Sequence, residues 1–85
     1  GSGGTRFLMV TPSFELKDAA TEQLMKDHEP EIRDKILSLL GKKTVEELTE
    51  SGMRDQIKKE VIDVVSPLFP KGSVLKVYFP QFVIQ

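Results

Sequence analysis

Alternating side chains predict a β-strand at each end of the chain. In the first, over residues 6–16, Phe7 and Met9 lie on one face and Leu8 and Val10 lie on the other. A strand that is apolar on both faces usually has neighbours above and below it. We therefore expect the first half of this strand to be covered on both sides.

The second predicted strand covers residues 74–85, and Leu75 and Val77 share one of its faces. A proline interrupts each strand near its middle, Pro12 in the first and Pro80 in the second. Proline has no amide hydrogen to donate to a sheet ladder, so the ladder is predicted to break at both positions, at an edge or a bulge.

Between the strands, apolar residues recur at three- and four-residue steps and predict helices. Asp18 is the predicted N-cap of the first helix, and Gly41 is the residue predicted to end it. Pro30 either kinks one long helix or begins a second helix after a short stop. The apolar stripe keeps its phase across Pro30, which favours one kinked helix.

Thr44 and Glu47 match a capping box and predict a short helix that ends near Glu50. Ser51 is then the predicted cap of a third helix, whose apolar stripe begins at Met53. The residues expected to form the core lie on these stripes and on the second strand, and they are Ile36, Leu40, Ile57, Val61, Val65 and Val77.

The element order β-α-α-α-β predicts an α+β fold, a small two- or three-stranded sheet with helices packed on one face. Residues 1–4, Gly-Ser-Gly-Gly, are typical of a linker or a cloning scar, and residues 5–85 are expected to form a single domain. We expect the chain to be a fragment, with any membrane anchor upstream of Thr5.

Composition narrows the classes of function. A chain of 85 residues can form one modest hydrophobic core. It has no cysteine, which excludes disulfides and thiolate metal sites, and its glycines form no phosphate-binding loop. A formal charge of −1 without a basic stripe gives no basis for binding nucleic acid. No cofactor is expected.

Asp27, His28 and Glu31 form the one combination that suggests enzymatic chemistry. His28 is the single imidazole, and the two carboxylates lie four residues apart, where both could contact one cation. Hard cations prefer six or more oxygen ligands, so a solvated helix face explains these residues better. A small metal-assisted or acid–base enzyme is the alternative hypothesis, and no catalytic, cofactor-binding or metal-binding residue is assigned.

A contact surface is the other candidate site. The last predicted strand is rich in aromatic residues, and Tyr78 and Phe82 either pack in the core or contribute to an assembly surface. The polar face of the third helix carries Arg54, Lys58 and Lys59. These five residues are the predicted interface.

Four segments carry a resemblance to a known family: Arg6-Phe-Leu-Met-Val-Thr11, His28-Glu-Pro-Glu-Ile-Arg-Asp-Lys-Ile-Leu37, Lys43-Thr-Val-Glu-Glu-Leu48 and Tyr78-Phe-Pro-Gln-Phe-Val-Ile-Gln85. In this order and at these separations they resemble the FliL family of flagellar basal-body proteins, from about Thr5 to the last residue. Pro12 and the pair Pro80-Gln81 depart from the usual family pattern.

The resemblance implies a single-pass inner-membrane protein at the flagellar basal body, with a periplasmic C-terminal domain. That domain is similar to the stomatin/prohibitin-type (SPFH) module, which assembles into rings. The resemblance also implies association with MotA and MotB, the stator proteins of the flagellar motor, and support of their assembly or activity in motility and chemotaxis. Nothing in the family pattern is a catalytic residue, so an enzyme is not expected.

Overall fold

The computed structural model describes residues 7–84, which form a two-stranded antiparallel sheet with the helices packed on one face. The predicted α+β class is confirmed. In chain order, the elements are β1 (Leu8–Leu16), α1 (Ala19–Asp27), α2 (Glu29–Gly41), α3 (Val45–Thr49), α4 (Met53–Val65), a 3₁₀ turn (Ser66–Leu68) and β2 (Val74–Ile84).

The predicted linker, residues 1–4, and the predicted strand ends Arg6 and Gln85 lie outside the described residues. No helix within residues 7–84 combines the length and the apolar composition that crossing a membrane requires.

The helix that precedes Gly41 is split at His28, so the single kinked helix favoured by the sequence pattern is wrong. α1 ends at Asp27, His28 has φ −103° and ψ 13°, and α2 begins at Glu29. Pro30 lies in the first turn of α2, where its fixed φ suits the helix and its missing amide hydrogen costs nothing. The apolar stripe keeps its phase because one residue alone separates the two helices.

Side chains cap two helices where the sequence predicts it. Asp18 accepts a hydrogen bond from the Thr21 amide at 2.9 Å and caps α1. At α3 the capping box is complete: the Thr44 hydroxyl accepts from the Glu47 amide at 3.0 Å, and the Glu47 carboxylate accepts from the Thr44 amide at 2.9 Å. Local sequence is enough to predict these caps because every partner lies within three residues.

The predicted cap of α4 is wrong, whereas the predicted end at Gly41 is right in position but not in conformation. Ser51 does not cap α4; Gly52 holds the cap position with φ 94°, a left-handed conformation that glycine adopts without strain. Gly41 is the last residue of α2, and the cap is Lys42 in a right-handed conformation. α2 thus ends without a left-handed glycine.

The capping carboxylates make the fold sensitive to acid. Hydrogen bonds from the Thr21 hydroxyl and amide hold the pKa of Asp18 below its ordinary value. Hydrogen bonds with the Thr44 amide and hydroxyl likewise lower the pKa of Glu47. A lowered pKa stabilises the fold above the unfolded-state pKa, and this stabilisation is lost as pH falls through the folded-state pKa. We expect the free energy of unfolding to fall on acidification below about pH 5.

Urea unfolding over a range of pH checks this expectation in the wild type and in the double variant Asp18→Asn, Glu47→Gln. Both replacements keep a hydrogen-bond acceptor but do not titrate in this range. The stability advantage of the wild type should be largest at neutral pH and should vanish once both carboxylates are protonated. An advantage that stays constant with pH would contradict the assignment of these two caps.

β1 and β2 pair along the whole of β1, with Leu8 opposite Ile84 and Leu16 opposite Val74. The ladder is irregular around Pro12, as predicted, because three steps along β2 match two steps along β1 at that point. Pro80 lies within the same irregularity, so the two prolines share one bulge.

A second bulge changes which side chains of β2 face the helices. Lys76 pairs with Glu15 and Val74 pairs with Leu16, which leaves Leu75 without an opposite residue. Leu75 is consequently exposed, whereas Val77 is buried. The predicted common face of Leu75 and Val77 is therefore wrong, since a bulge interrupts the two-residue alternation of a strand.

The core lies between the inner face of the sheet and the helices α2, α3 and α4. All six residues that the sequence predicts to be buried are buried. Among residues 7–84, the expected cover on both faces of β1 is wrong, because their helices pack on one face alone. Phe7 and Met9 lie on the other, outer face and are 61% and 44% exposed.

Candidate functional site

Four of the five predicted interface residues lie together where α4 packs on β2. Arg54 and Lys58 are four residues apart and so share one face of α4. The guanidinium carbon of Arg54 lies 4.0 Å from the centroid of the Phe82 ring, and Nζ of Lys58 lies 5.8 Å from the centroid of the Tyr78 ring. Both cations are within about 6 Å, where the face of an aromatic ring attracts a positive charge. We call these four residues the cation–aromatic cluster.

Lys59, the fifth predicted residue, does not join this cluster. Each residue along a helix turns the side chain by about 100°, so Lys59 points away from the face that carries Lys58. Lys59 is exposed, and among residues 7–84 no ion pair or cation–aromatic contact includes it. Contact of any of the five residues with a partner stays a prediction.

Polar contacts between the strands occupy the middle of the outer sheet face. The Tyr78 hydroxyl donates to a Glu15 carboxylate oxygen at 3.3 Å, and the Thr11 hydroxyl donates to the Gln81 side-chain oxygen at 3.0 Å. Lys58 thus lies over a ring whose hydroxyl contacts β1. The cation–aromatic cluster is therefore linked to β1 through the hydrogen bond between Tyr78 and Glu15.

The outer face of the sheet is apolar at one end, where the first residues of β1 pair with the last residues of β2. Met9 lies directly opposite Val83 in the ladder, and both are exposed, as is Phe7 two residues before Met9. The sequence shows that Phe7 and Met9 share a face of the strand. It does not show that this face is uncovered within residues 7–84. Exposed apolar residues that cluster in this way are typical of contact surfaces.

A groove of about 480 Å³ lies between β1 and the helices α1 and α2. It opens because α2 packs mainly on α4 rather than on β1. Sequence reasoning missed the groove, since each apolar residue of its walls lies on an apolar face of its own element and gives no sign of an open space beside it. Its apolar walls are formed by Leu8, Val10, Phe14, Met25, Ile32 and Ile36.

Charged side chains and one exposed leucine surround this groove. Glu29 and Arg33 form an ion pair of 2.7 Å at its rim, near Lys26. Leu37, one turn beyond Arg33 on α2, also lines the groove and is 54% exposed. An apolar centre surrounded by a polar rim is typical of protein–protein interfaces.

The structure does not bring Asp27, His28 and Glu31 together. Nδ1 of His28 lies 3.3 Å from a Glu31 carboxylate oxygen, but the Asp27 carboxylate accepts a hydrogen bond from the Gln23 amide nitrogen at 3.0 Å. The edge of the His28 ring meets the Phe69 ring, with centroids 6.3 Å apart. Within residues 7–84 no group of three or more acidic, histidine or cysteine side chains could hold a metal ion.

Comparison with known proteins relates this chain to flagellar proteins. A family model described as "Flagellar basal body-associated protein FliL" matches residues 1–85. The "Flagellar protein FliL" of Aquifex aeolicus (strain VF5) is 32% identical over 81 residues, a match that covers 95% of this chain and 50% of the relative. The chain therefore spans about half the length of this curated relative.

Proposed function

This chain belongs to the FliL family of flagellar basal body-associated proteins, and from that membership we propose that it is a non-enzymatic assembly module of the bacterial flagellar motor. In this proposal it associates with the stator proteins MotA and MotB and supports their assembly or activity. It lies in the periplasm at the basal body, where an anchor upstream of Thr5 holds it at the inner membrane. Neighbouring copies form a ring, as the likeness to the SPFH module implies.

Family membership over the whole sequence is the observation that carries this proposal. The geometry supports a role in contacts, because the described residues form three exposed features suited to docking. These are the cation–aromatic cluster, the apolar end of the outer sheet face and the groove beside β1. The enzyme hypothesis is not proposed further, since the Asp27 carboxylate accepts a hydrogen bond from Gln23, whereas His28 contacts Glu31.

Swimming tests on chromosomal variants examine the proposed function. In one set, Asp27, His28 or Glu31 is replaced by alanine, and in the other Arg54 or Lys58 is replaced by glutamate. We expect near-normal motility in the alanine set and reduced swimming and stator recruitment in the glutamate set, at matched protein levels. A reversed charge at an interface repeats its repulsion at every copy of the contact.

Lys59→Glu is the matched control, because it makes the same charge change on the same helix outside the cation–aromatic cluster. It is expected to impair swimming less than Lys58→Glu does. Loss of motility confined to the alanine set, with both glutamate variants swimming normally, would refute the assembly module and favour an enzyme.

A further inference from the structure

The groove beside β1 has the size and the walls of a site for a small apolar group. Its volume of about 480 Å³ falls in the range of about 300–1,000 Å³ in which proteins bind small molecules. The residues that line it from β1 and α1 are only half-buried, and they are Leu8, Val10, Phe14 and Met25. Each of them therefore keeps apolar surface that a bound ligand could remove from water.

The rim of this groove carries more positive than negative charge. Lys26 and Arg33 line it together with one acidic residue, Glu29. Arg33 donates to Glu29 at 2.7 Å through one nitrogen, but a guanidinium has five N–H donors. Lys26 forms no ion pair with any residue of the segment 7–84. The rim can thus attract one further anionic group.

We propose that the groove binds a free fatty acid, with the acyl chain along the apolar walls and the carboxylate at the rim in contact with Lys26 and Arg33. A carboxylate can accept two parallel hydrogen bonds from an arginine, and a lysine adds another donor. The pair between Glu29 and Arg33 is exposed on both sides and stabilises the fold little, so Arg33 can share its donors with the ligand. This site is additional to the proposed motor role.

The backbone chemistry of the groove favours an acyl chain over an extended peptide. A peptide would bury its own N–H and C=O groups, and each of these needs a hydrogen-bond partner. Pro12 lines the groove but has no amide hydrogen, and the Thr11 hydroxyl already donates to Gln81 on the outer face. An acyl chain has no polar group along its length, so its burial leaves no such group without a partner.

Methyl NMR of the methionines tests this site, because the three methionines lie in three different places. Met25 lines the groove, Met9 is exposed on the outer face of the sheet, and Met53 begins α4. The full chain, labelled at the methionine methyl groups, is titrated with sodium dodecanoate at pH 7 below its micellar concentration. We expect the Met25 signal to shift and to saturate, whereas the Met9 and Met53 signals stay in place.

Related ligands test the head group and the chain separately. Dodecyltrimethylammonium has the same apolar chain with a cationic head, and it should bind at least about tenfold more weakly because the rim repels it. Octanoate keeps the carboxylate but lacks four methylene groups, and it should also bind at least about tenfold more weakly because less apolar surface is buried. Equal binding of dodecanoate and dodecyltrimethylammonium would overturn the proposal.

A charge reversal at the rim tests the position of the carboxylate. Lys26→Glu should weaken dodecanoate binding about tenfold, since it replaces an attraction by a repulsion. Lys59→Glu is the matched control, because it makes the same charge change at an exposed position outside the groove, and its affinity should stay within about twofold of the wild type. Thermal unfolding shows whether each variant is folded, and Arg33→Gln replaces Lys26→Glu if the latter does not fold. Equal affinity of the rim variant and the control would contradict the proposed site.

Other occupants of the groove would give different results, and each would overturn the proposal. Shifts of Met9 and Met25 together, without saturation, would show general adsorption to apolar surface. A Met25 signal that moves on dilution without any ligand would show that a second copy fills the groove. A shift with phosphatidylglycerol vesicles but not with dodecanoate would show a membrane surface in its place. These measurements use purified protein, so a failure of this site leaves the proposed motor role standing.

Discussion

Replacing Ile57 by alanine is expected to lower the free energy of unfolding by about 2–5 kcal/mol. Ile57 lies on α4 with no exposed surface, and it belongs to the one core cluster that includes Ile36, Leu40 and Val77. Truncation to alanine removes three buried carbon atoms and leaves a cavity that neighbouring side chains fill only in part. A domain of this size has a total stability of roughly 5–15 kcal/mol, so the loss is a large share of it.

Chemical and thermal unfolding measure this loss, and Lys59→Ala is the matched control. Lys59 is exposed on the same helix, and its replacement should change the free energy of unfolding by less than about 0.5 kcal/mol. An Ile57→Ala variant that unfolds at the wild-type midpoint would show that α4 does not bury this face.

Breaking the ion pair between Lys43 and Glu60 is expected to cost about 1–3 kcal/mol for either single variant, Lys43→Met or Glu60→Leu. Nζ of Lys43 lies 2.7 Å from one Glu60 carboxylate oxygen and 3.1 Å from the other. The Lys43 side chain is 12% exposed and that of Glu60 is 28% exposed. Each single variant therefore leaves a partly buried charge without its partner, which is the main source of the cost.

A double-mutant cycle measured by urea unfolding tests this argument. The double variant Lys43→Met, Glu60→Leu removes both charges and should lose much less than the sum of the single losses. The Glu29–Arg33 pair is the control, because it has the same 2.7 Å separation but side chains that are 63% and 69% exposed. Its removal should cost about 0.5 kcal/mol or less. Equal coupling in both pairs would show that burial does not decide the effect.

Local features of the fold were predictable because their causes are local. The cap of Asp18 and the capping box of Thr44 and Glu47 each depend on a hydrogen bond spanning three residues. The burial of Ile57 and its neighbours follows from an apolar stripe with helical spacing, which can pack in only one direction. The family resemblance, seen in four short segments, is confirmed by the match over residues 1–85.

Predictions failed where the backbone departs from a regular repeat. The bulge at Leu75 exposes a side chain that strand alternation assigns to the core. The short stop at His28 divides one apolar stripe between two helices, and the left-handed Gly52 replaces Ser51 as the cap of α4. In each place the sequence pattern fits two local conformations, and packing selects between them.

Prediction from the sequence was also incomplete at the candidate site. The sequence identified Arg54, Lys58, Tyr78 and Phe82 by residue type, but their pairing across α4 and β2 depends on contacts between residues twenty or more positions apart. The groove beside β1 was missed altogether. The groove arises from the distance between β1 and α2, and that distance cannot be predicted from the periodicity of apolar residues in either element.

By itself, the sequence determined the α+β class, the side-chain caps of α1 and α3, the six core residues and the family. Each of these follows from the spacing of nearby residues or from residue identity. Only the tertiary structure decided that helices cover one face of the sheet, that Phe7 and Met9 are exposed and that a groove opens beside β1. These properties depend on how far apart the packed elements lie and on which face each one presents. Both are set by the sum of long-range contacts rather than by any one segment.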